Sequence, residues 1–116
     1  MMLLKYTFLA LSAIIPAANA YTGRASWDSL GTTPCPQTCG TPTDFRVALP
    51  VTLFPNGEKC CSQVLVQYQG KRVAVTFTDL FLAGANSFNI SLSHQAFAEL
   101  APLEVGTISP VSWNFE

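Results

Sequence analysis

The stretch KRVAVTFTDLFLAGANSFNISLSHQAFAEL, residues 71–100, contains a strand pattern, an acidic residue, a polar loop and a short helix pattern in that order. Apolar residues recur at every second position from Val73 to Phe77, which predicts a half-buried strand. Glycine and asparagine then mark a loop, and Ser93 stands where a helix N-cap is expected. We predict that Asp79 ends the strand and presents its carboxylate at a rim, and it is the best candidate for a functional acid.

Residues 1–20 have the pattern of a secretory signal peptide. An apolar run follows Lys5 and ends in Ala18-Asn19-Ala20, the small-x-small pattern of a cleavage site. A membrane anchor is the alternative, but it requires about 18 or more uncharged apolar residues. We therefore expect cleavage after Ala20, export to an extracellular location, and a mature region over residues 21–116 that has the size of one domain.

The charge pattern excludes one class of partner. The chain has six basic and seven acidic residues and a formal net charge of −1. A nucleic-acid-binding protein would carry a basic cluster, whereas here only Lys71 and Arg72 are adjacent, as is typical of an exposed hairpin turn. We expect no nucleic-acid partner, no membrane association after signal cleavage, and a monomer.

The four cysteines, Cys35, Cys39, Cys60 and Cys61, all lie in the predicted mature region. An even number in an exported chain predicts two disulfides. Pairing the neighbours Cys60 and Cys61 would strain the peptide between them, so two connectivities stay open, and both tie the Cys35–Cys39 loop to this pair. A zinc site is disfavoured because adjacent cysteines fit tetrahedral ligation poorly and the single histidine, His94, is distant. We expect no metal and no other cofactor.

Further strand patterns occur on both sides of this stretch. They cover residues 23–27, 45–49, 64–68, 71–78 and 106–115. A tight turn at Gln69-Gly70 joins the third and fourth patterns into a hairpin. Short strands at such spacing in a small chain predict a closed or nearly closed barrel.

Five segments resemble, in order, the double-psi β-barrel family. They are GRASW (23–27), KCC (59–61), VTFTDLF (75–81), NISLSHQAF (89–97) and VGTISPVSWNF (105–115). The chain is similar to the first domain of expansins, to the loosenin-like proteins, and to the barwin and rare-lipoprotein-A groups. The resemblance implies a mostly β fold over residues 21–116, a small six-stranded double-psi β-barrel with one short helix, stapled by disulfides.

The resemblance also implies an open groove across the barrel that binds cell-wall polysaccharide. Ser26 fills the first polar position of that groove, Thr78 and Asp79 form its Thr-Asp pair, and Phe81 stands in place of a groove aromatic. Where the family has a second aspartate, this chain has Ser91. Glycoside hydrolysis requires an acid and a second carboxylate, and a seryl hydroxyl lacks the acidity for the first role. We therefore predict binding, or loosening, of polysaccharide without catalysis.

Other interpretations stay open. The same barrel also serves as a secreted protein-binding module, such as a protease inhibitor or a defence or effector protein. An enzyme would need a second acid near Asp79, such as Asp28 or Asp44. Asp79 could instead bond backbone N–H groups in a turn, and Phe81 and Trp27 could lie in the core instead of stacking on sugar rings.

A glycosylation acceptor lies beside the predicted groove. Asn89-Ile90-Ser91 is the single N-x-S/T sequence in the chain, and its middle residue is not proline. In a eukaryotic source, Asn89 would carry a glycan there. The alternative is that the sequence occurs by chance and Asn89 is an ordinary loop residue.

Overall fold

The computed structural model describes residues 20–40 and 44–116. In these ranges six strands form a closed barrel with one short α-helix, which confirms the predicted architecture. The predicted signal peptide lies outside the described residues except for Ala20. The elements are β1 (Tyr21–Trp27), β2 (Arg46–Pro50), β3 (Gln63–Tyr68), β4 (Lys71–Phe81), β5 (Ile90–Leu92), α1 (His94–Ala98) and β6 (Thr107–Phe115), with 3-10 turns at Leu82–Gly84 and Leu103–Val105.

The order of strands around the barrel differs strongly from their order in the chain. It is β1-β5-β2-β4-β3-β6, with β6 paired back to β1. The pairs β1/β5 and β2/β4 are parallel, and the other four pairs are antiparallel. As a result β1, β5, β2 and β4 form one continuous wall from distant parts of the sequence. No helix within the described ranges is long and apolar enough to cross a membrane.

The barrel interior is closely filled by aromatic and branched side chains. Trp113 is buried, its indole N–H donates to the backbone oxygen of Phe88 at 2.9 Å, and the ring of Tyr21 stacks on it at 4.3 Å. Burying one large apolar side chain contributes about 1.5–3 kcal/mol. The largest fully buried side chains besides Trp113 are Phe77, Phe97, Leu49, Ile90, Leu92 and Leu100.

Two features of the strands differ from the predictions. β4 does not end at Asp79 but continues to Phe81, because β2 pairs with it up to that residue. β5 was not predicted, because all three of its residues are buried and the alternating pattern is missing. The hairpin at Gln69-Gly70 is confirmed, and both residues have the positive φ angles, 49° and 81°, that a two-residue hairpin turn requires.

Helix α1 begins after Ser93, as predicted, but the Ser93 side chain does not cap it. Its hydroxyl donates to the backbone oxygen of Asp44 at 2.6 Å and accepts from the N–H of Arg46 at 3.1 Å. Ser93 therefore ties the start of the helix to the start of β2. The helix packs against the barrel through Ala96 and Phe97, which are both buried.

The two disulfides are Cys35–Cys60 and Cys39–Cys61, with Cα–Cα distances of 6.1 and 5.0 Å. The prediction that both bridges tie the Cys35–Cys39 loop to the adjacent cysteines is confirmed, and the structure selects one of the two open connectivities. The loop is thereby fixed at both ends to the segment that leads into β3.

Candidate functional site

One row of residues crosses the wall formed by β1, β5, β2 and β4. Ser26 on β1 pairs with Ser91 on β5. Ser91 pairs in turn with Ala48 on β2, and Ala48 pairs with Asp79 on β4. Neighbouring strands lie about 4.8 Å apart, so the row is about 14 Å long. Ser26 and Asp79 therefore lie at its ends, with Ser91 between them.

A bulge in β4 turns Asp79 toward this row. Val47 pairs with Phe77, but the next residue, Ala48, pairs with Asp79, so Thr78 is an extra residue on β4. Strict alternation would put Asp79 on the same face as Phe77, which lies in the core. An extra residue reverses the alternation beyond it and re-aims the side chains that follow. The bulge thus places the carboxylate outside the barrel interior.

Asp79 is only 3% exposed, and both of its oxygens accept hydrogen bonds. Oδ1 accepts from the Thr78 hydroxyl at 2.6 Å, and Oδ2 accepts from the backbone N–H of Gly31 at 2.7 Å. The alternative that this carboxylate bonds a backbone N–H group is therefore confirmed for one oxygen. A carboxylate has about four acceptor positions, so Asp79 can still accept hydrogen bonds from a ligand.

The segment before the first disulfide lies along β4 at Asp79. The N–H of Cys35 donates to the oxygen of Thr78 at 2.9 Å, and the N–H of Leu80 donates to the oxygen of Thr33 at 2.8 Å. This pairing covers the carboxylate with the loop. The sequence predicted that Asp79 stands on an open rim. In the structure it lies instead at the base of a pocket.

Three pockets adjoin along the row, and together we call them the groove. The central pocket has a volume of about 180 Å³ and is lined by Asp79 and Ser91. The β1 pocket, about 190 Å³, shares Phe81 and Ala83 with the central pocket. The loop pocket, about 630 Å³, shares Gly31 and Asp79 with it. These shared residues show that the three pockets lie next to one another across the wall of the barrel.

All four residues predicted to bind a ligand line the groove. Ser26 lines the β1 pocket and Thr78 lines the loop pocket. Asp79 and Phe81 each line two of the three pockets. Phe81 is half-buried and packs over Gly84, where a Cβ would lie 2.6 Å from its ring. The fold thus brings these residues together, while their role as ligand contacts stays a prediction.

Ser91 lacks a hydrogen-bond partner. It is 1% exposed, and its hydroxyl oxygen is the one buried side-chain polar atom of the described residues without a partner. Leaving such a group unsatisfied costs about 1–3 kcal/mol. Ser91 also lines the central pocket, so its side chain lies directly beneath the surface of this pocket. The sequence indicated only that an acid is replaced here, since no pattern shows whether a hydroxyl will find a partner.

Two further acidic residues line the groove. Asp28 lines the central pocket with Asp79, and Asp44 lines the loop pocket beside Arg46. The Arg46 guanidinium donates through Nη2 to the oxygen of Ser29 at 3.1 Å. The fold therefore brings both acids of the enzymatic alternative into pockets that Asp79 also lines. In residues 20–40 and 44–116, no group of three or more acidic, histidine or cysteine side chains is placed to hold a metal ion.

Trp27 lies on the surface next to Ser26. Its side chain is 36% exposed, so the expectation that this aromatic belongs to the core is wrong. Its indole N–H donates to the oxygen of Leu103 at 2.9 Å, and its ring meets His94 edge-on at 6.3 Å. His94 is exposed. Trp27 is thus fixed beside the groove without lining it.

No protein-family model matches the chain. Over 114 residues the chain is 32% identical to the papain inhibitor of Streptomyces mobaraensis, and the alignment covers 90% of this chain and 77% of that relative. The chain belongs to the papain inhibitor family.

Solved structures with the same barrel include a member of this family and an expansin. The structure of Streptomyces papain inhibitor matches with a TM-score of 0.69 and 29% identity, over 87% of this chain and 97% of that chain. Clavibacter michiganensis expansin matches with a TM-score of 0.68 and 26% identity, as the apo protein and as a variant in complex with cellohexaose. These matches cover 84% of this chain but 50% of the expansin. The expansin-like double-psi barrel expected from the sequence is thereby supported.

Proposed function

We propose that this protein is an extracellular, non-catalytic member of its family that binds an extended polysaccharide in the groove. One observation carries the proposal: the Ser91 hydroxyl is buried at the central pocket without a protein partner. A sugar hydroxyl both donates and accepts hydrogen bonds, so it can satisfy a seryl oxygen. Asp79, two positions further along the row, offers acceptor sites for neighbouring sugar hydroxyls.

The shape of the groove fits a polymer better than a single small molecule. Its three pockets are joined, and Phe81 lies where the central and β1 pockets meet. Aromatic rings offer a flat apolar surface against which the C–H faces of sugar rings can pack. Leu82, which is 59% exposed, extends this apolar surface along the central pocket. Apolar contacts with a few fixed polar groups are what ligand sites commonly provide.

The chemistry of the row favours binding without cleavage. Glycoside hydrolysis requires a general acid and a second carboxylate on opposite sides of the bond. In this row Ser91 stands between Ser26 and Asp79, and the Asp79 carboxylate is held by Thr78 and Gly31. The expansin solved with cellohexaose shares the barrel, which supports a β-linked glucan as the first ligand to test.

The proposal is tested by calorimetric titration with cellohexaose and by pull-down on insoluble cellulose, chitin and peptidoglycan. Reducing-sugar release is measured on the same samples, and we expect binding without release. Ser91→Ala and Asp79→Asn should each weaken cellohexaose binding about tenfold, or about 1.4 kcal/mol. Arg72→Ala is the matched control, because Arg72 is exposed at the opposite end of β4. Unchanged binding by both groove variants would remove the assignment, and sugar release would overturn the non-catalytic part.

A second candidate function is inhibition of papain-like cysteine peptidases. The similarity to the papain inhibitor favours it, because the chain spans 97% of the solved inhibitor. The segment most suited to contact an enzyme is the loop between Cys35 and Cys39, where Pro36, Gln37 and Thr38 are exposed. Both disulfides hold this loop, which lowers the entropy lost when it binds a partner.

The inhibitor hypothesis is tested by measuring papain cleavage of a fluorogenic peptide at increasing concentrations of this protein. We expect inhibition that the Gln37→Ala, Thr38→Ala double variant weakens and the groove variant Ser91→Ala leaves unchanged. Absence of inhibition by the unaltered protein would exclude this function for papain. Gln37 and Thr38 also line the loop pocket, so Ser91→Ala is the variant that separates the two hypotheses: it should weaken polysaccharide binding and leave inhibition unchanged.

A further inference from the structure

Asn89 lies at one end of the groove and begins the acceptor sequence Asn-Ile-Ser. It directly precedes β5 and lines the β1 pocket together with Ser26 and Phe81. A group attached to its side chain would therefore start at the mouth of this pocket and not on a remote surface.

The two ends of the Asn89 amide have different environments. Oδ1 accepts a hydrogen bond from the backbone N–H of Arg24 at 2.8 Å, and this donor requires the oxygen on that side. Nδ2 makes no hydrogen bond within the described chain, and it is not among the buried polar atoms that lack a partner, so solvent reaches it. Glycosylation takes place on Nδ2 and leaves the carbonyl oxygen in place. The bond to Arg24 is therefore compatible with a modified Asn89.

The backbone around Asn89 is closely packed. Gly23 on β1 passes so near that a Cβ there would lie 2.5 Å from the oxygen of Phe88 and 2.9 Å from Asn89 Oδ1. The N–H of Asn89 donates to the Ser87 hydroxyl at 3.1 Å. With its backbone and its amide oxygen both held, Asn89 directs any attached group along a narrow range of directions.

We infer that Asn89 is an N-glycosylation site whose glycan covers the β1 pocket and thereby weakens polysaccharide binding in the groove. In the modification, Nδ2 forms a bond to C1 of the first sugar of a polyprenyl-diphosphate-linked oligosaccharide and loses one proton. The bond from C1 to the diphosphate oxygen breaks, and polyprenyl diphosphate leaves. The glycan then occupies the space beside Ser26 and Phe81 that a bound polymer would use. The effect on binding rests on the proposed polysaccharide function, whereas the modification and the covering of the pocket do not.

The test uses the full chain secreted from a yeast host that attaches N-glycans. Intact-mass measurement gives the occupancy of Asn89. Three forms are compared: the glycosylated protein, the same protein trimmed by an endoglycosidase to a single N-acetylglucosamine, and the unaltered chain secreted without a glycan by a bacterial host. The last form keeps Asn89 and its hydrogen bond to the Arg24 N–H.

Two measurements distinguish a covered β1 pocket from polysaccharide binding in the groove. Cellohexaose titration should show binding about tenfold weaker for the glycosylated form than for the unaltered chain without a glycan. Hydroxyl-radical labelling of Phe81 should be lower in the glycosylated form whether or not any polysaccharide binds. An unoccupied Asn89, or equal Phe81 labelling in all three forms, would overturn the inference. Reduced labelling with no cellohexaose binding by any form would instead support the covered pocket and reject the polysaccharide function.

Discussion

Ser91→Ala removes the one buried hydroxyl oxygen of the described residues that lacks a hydrogen-bond partner. We therefore expect the free energy of unfolding to rise. An unsatisfied buried polar group costs about 1–3 kcal/mol. Removal of one oxygen leaves about 10 Å³ of extra space, which at about 24 cal/mol per Å³ costs about 0.2 kcal/mol. The net expectation is a stabilisation of about 1–2 kcal/mol, and each kcal/mol raises Tm by about 4–8 °C in a domain of this size.

Ser93 supplies a matched control two residues away. It is as buried as Ser91, at 2% exposure, but its hydroxyl is fully bonded to the backbones of Asp44 and Arg46. Ser93→Ala leaves these two backbone groups without their partner, so we expect a loss of about 1–3 kcal/mol. The same substitution in one β5–α1 segment should therefore change stability in opposite directions.

Urea unfolding with the disulfides intact measures both variants, and an unchanged m-value shows that the comparison concerns stability alone. Ser91→Ala should be more stable and also bind cellohexaose more weakly, because the hydroxyl that the fold leaves unsatisfied is the one we assign to the ligand. If Ser91→Ala destabilises the protein as much as Ser93→Ala does, the hydroxyl has a partner in solution and the reasoning about the central pocket fails.

Three further perturbations test the architecture of the site. Gly23→Ala should lower the free energy of unfolding by about 3 kcal/mol, measured in urea, because the new Cβ would lie 2.5 Å from the backbone oxygen of Phe88. A decrease below about 0.5 kcal/mol would contradict this packing. Asp79→Asn should destabilise the fold by about 1–3 kcal/mol, because an amide cannot accept both of the hydrogen bonds that the carboxylate accepts. Hydrogen exchange should also become faster in the loop at Gly31 that Asp79 holds. Unchanged exchange would show that this hydrogen bond is dispensable. Replacing Cys35 and Cys60 by alanine while Cys39–Cys61 is kept opens the small ring of residues 35–39 and 60–61, and it should cost about 2.4 kcal/mol, measured by the denaturant midpoint. An unchanged midpoint would reject this chain-entropy account.

The alternating strands could be predicted from the sequence because their pattern is local. Val73 to Phe77 alternates with exposed positions in β4, and Gln69-Gly70 has the residue types of a hairpin turn. β5 has neither an alternating pattern nor a turn signal, because Ile90, Ser91 and Leu92 are all buried. A three-residue strand whose two neighbours lie far away in sequence leaves no period to detect.

The candidate site was predicted in its composition but not in its geometry. The resemblance to expansins named Ser26, Thr78, Asp79 and Phe81, and all four line the groove. The bulge at Thr78 could not be seen, because it is defined by the register with β2 and not by the residues of β4 alone. The covering of Asp79 depends on the loop that the disulfides hold, and the sequence left their pairing open. The unpartnered state of Ser91 follows from packing and has no sequence signature.

The closure of the barrel also limits how any macromolecule can recognise this protein. Each of the six strands has a hydrogen-bonded neighbour on both sides. Where β4 extends past the end of its pairing with β3, the Cys61 N–H and the 33–35 segment bond its backbone instead. Among the described residues no strand thus has a whole edge free to which a peptide could add. The side chains and loops around the barrel are therefore the larger surface for recognition, and they can change in evolution without disturbing the ladder of the barrel.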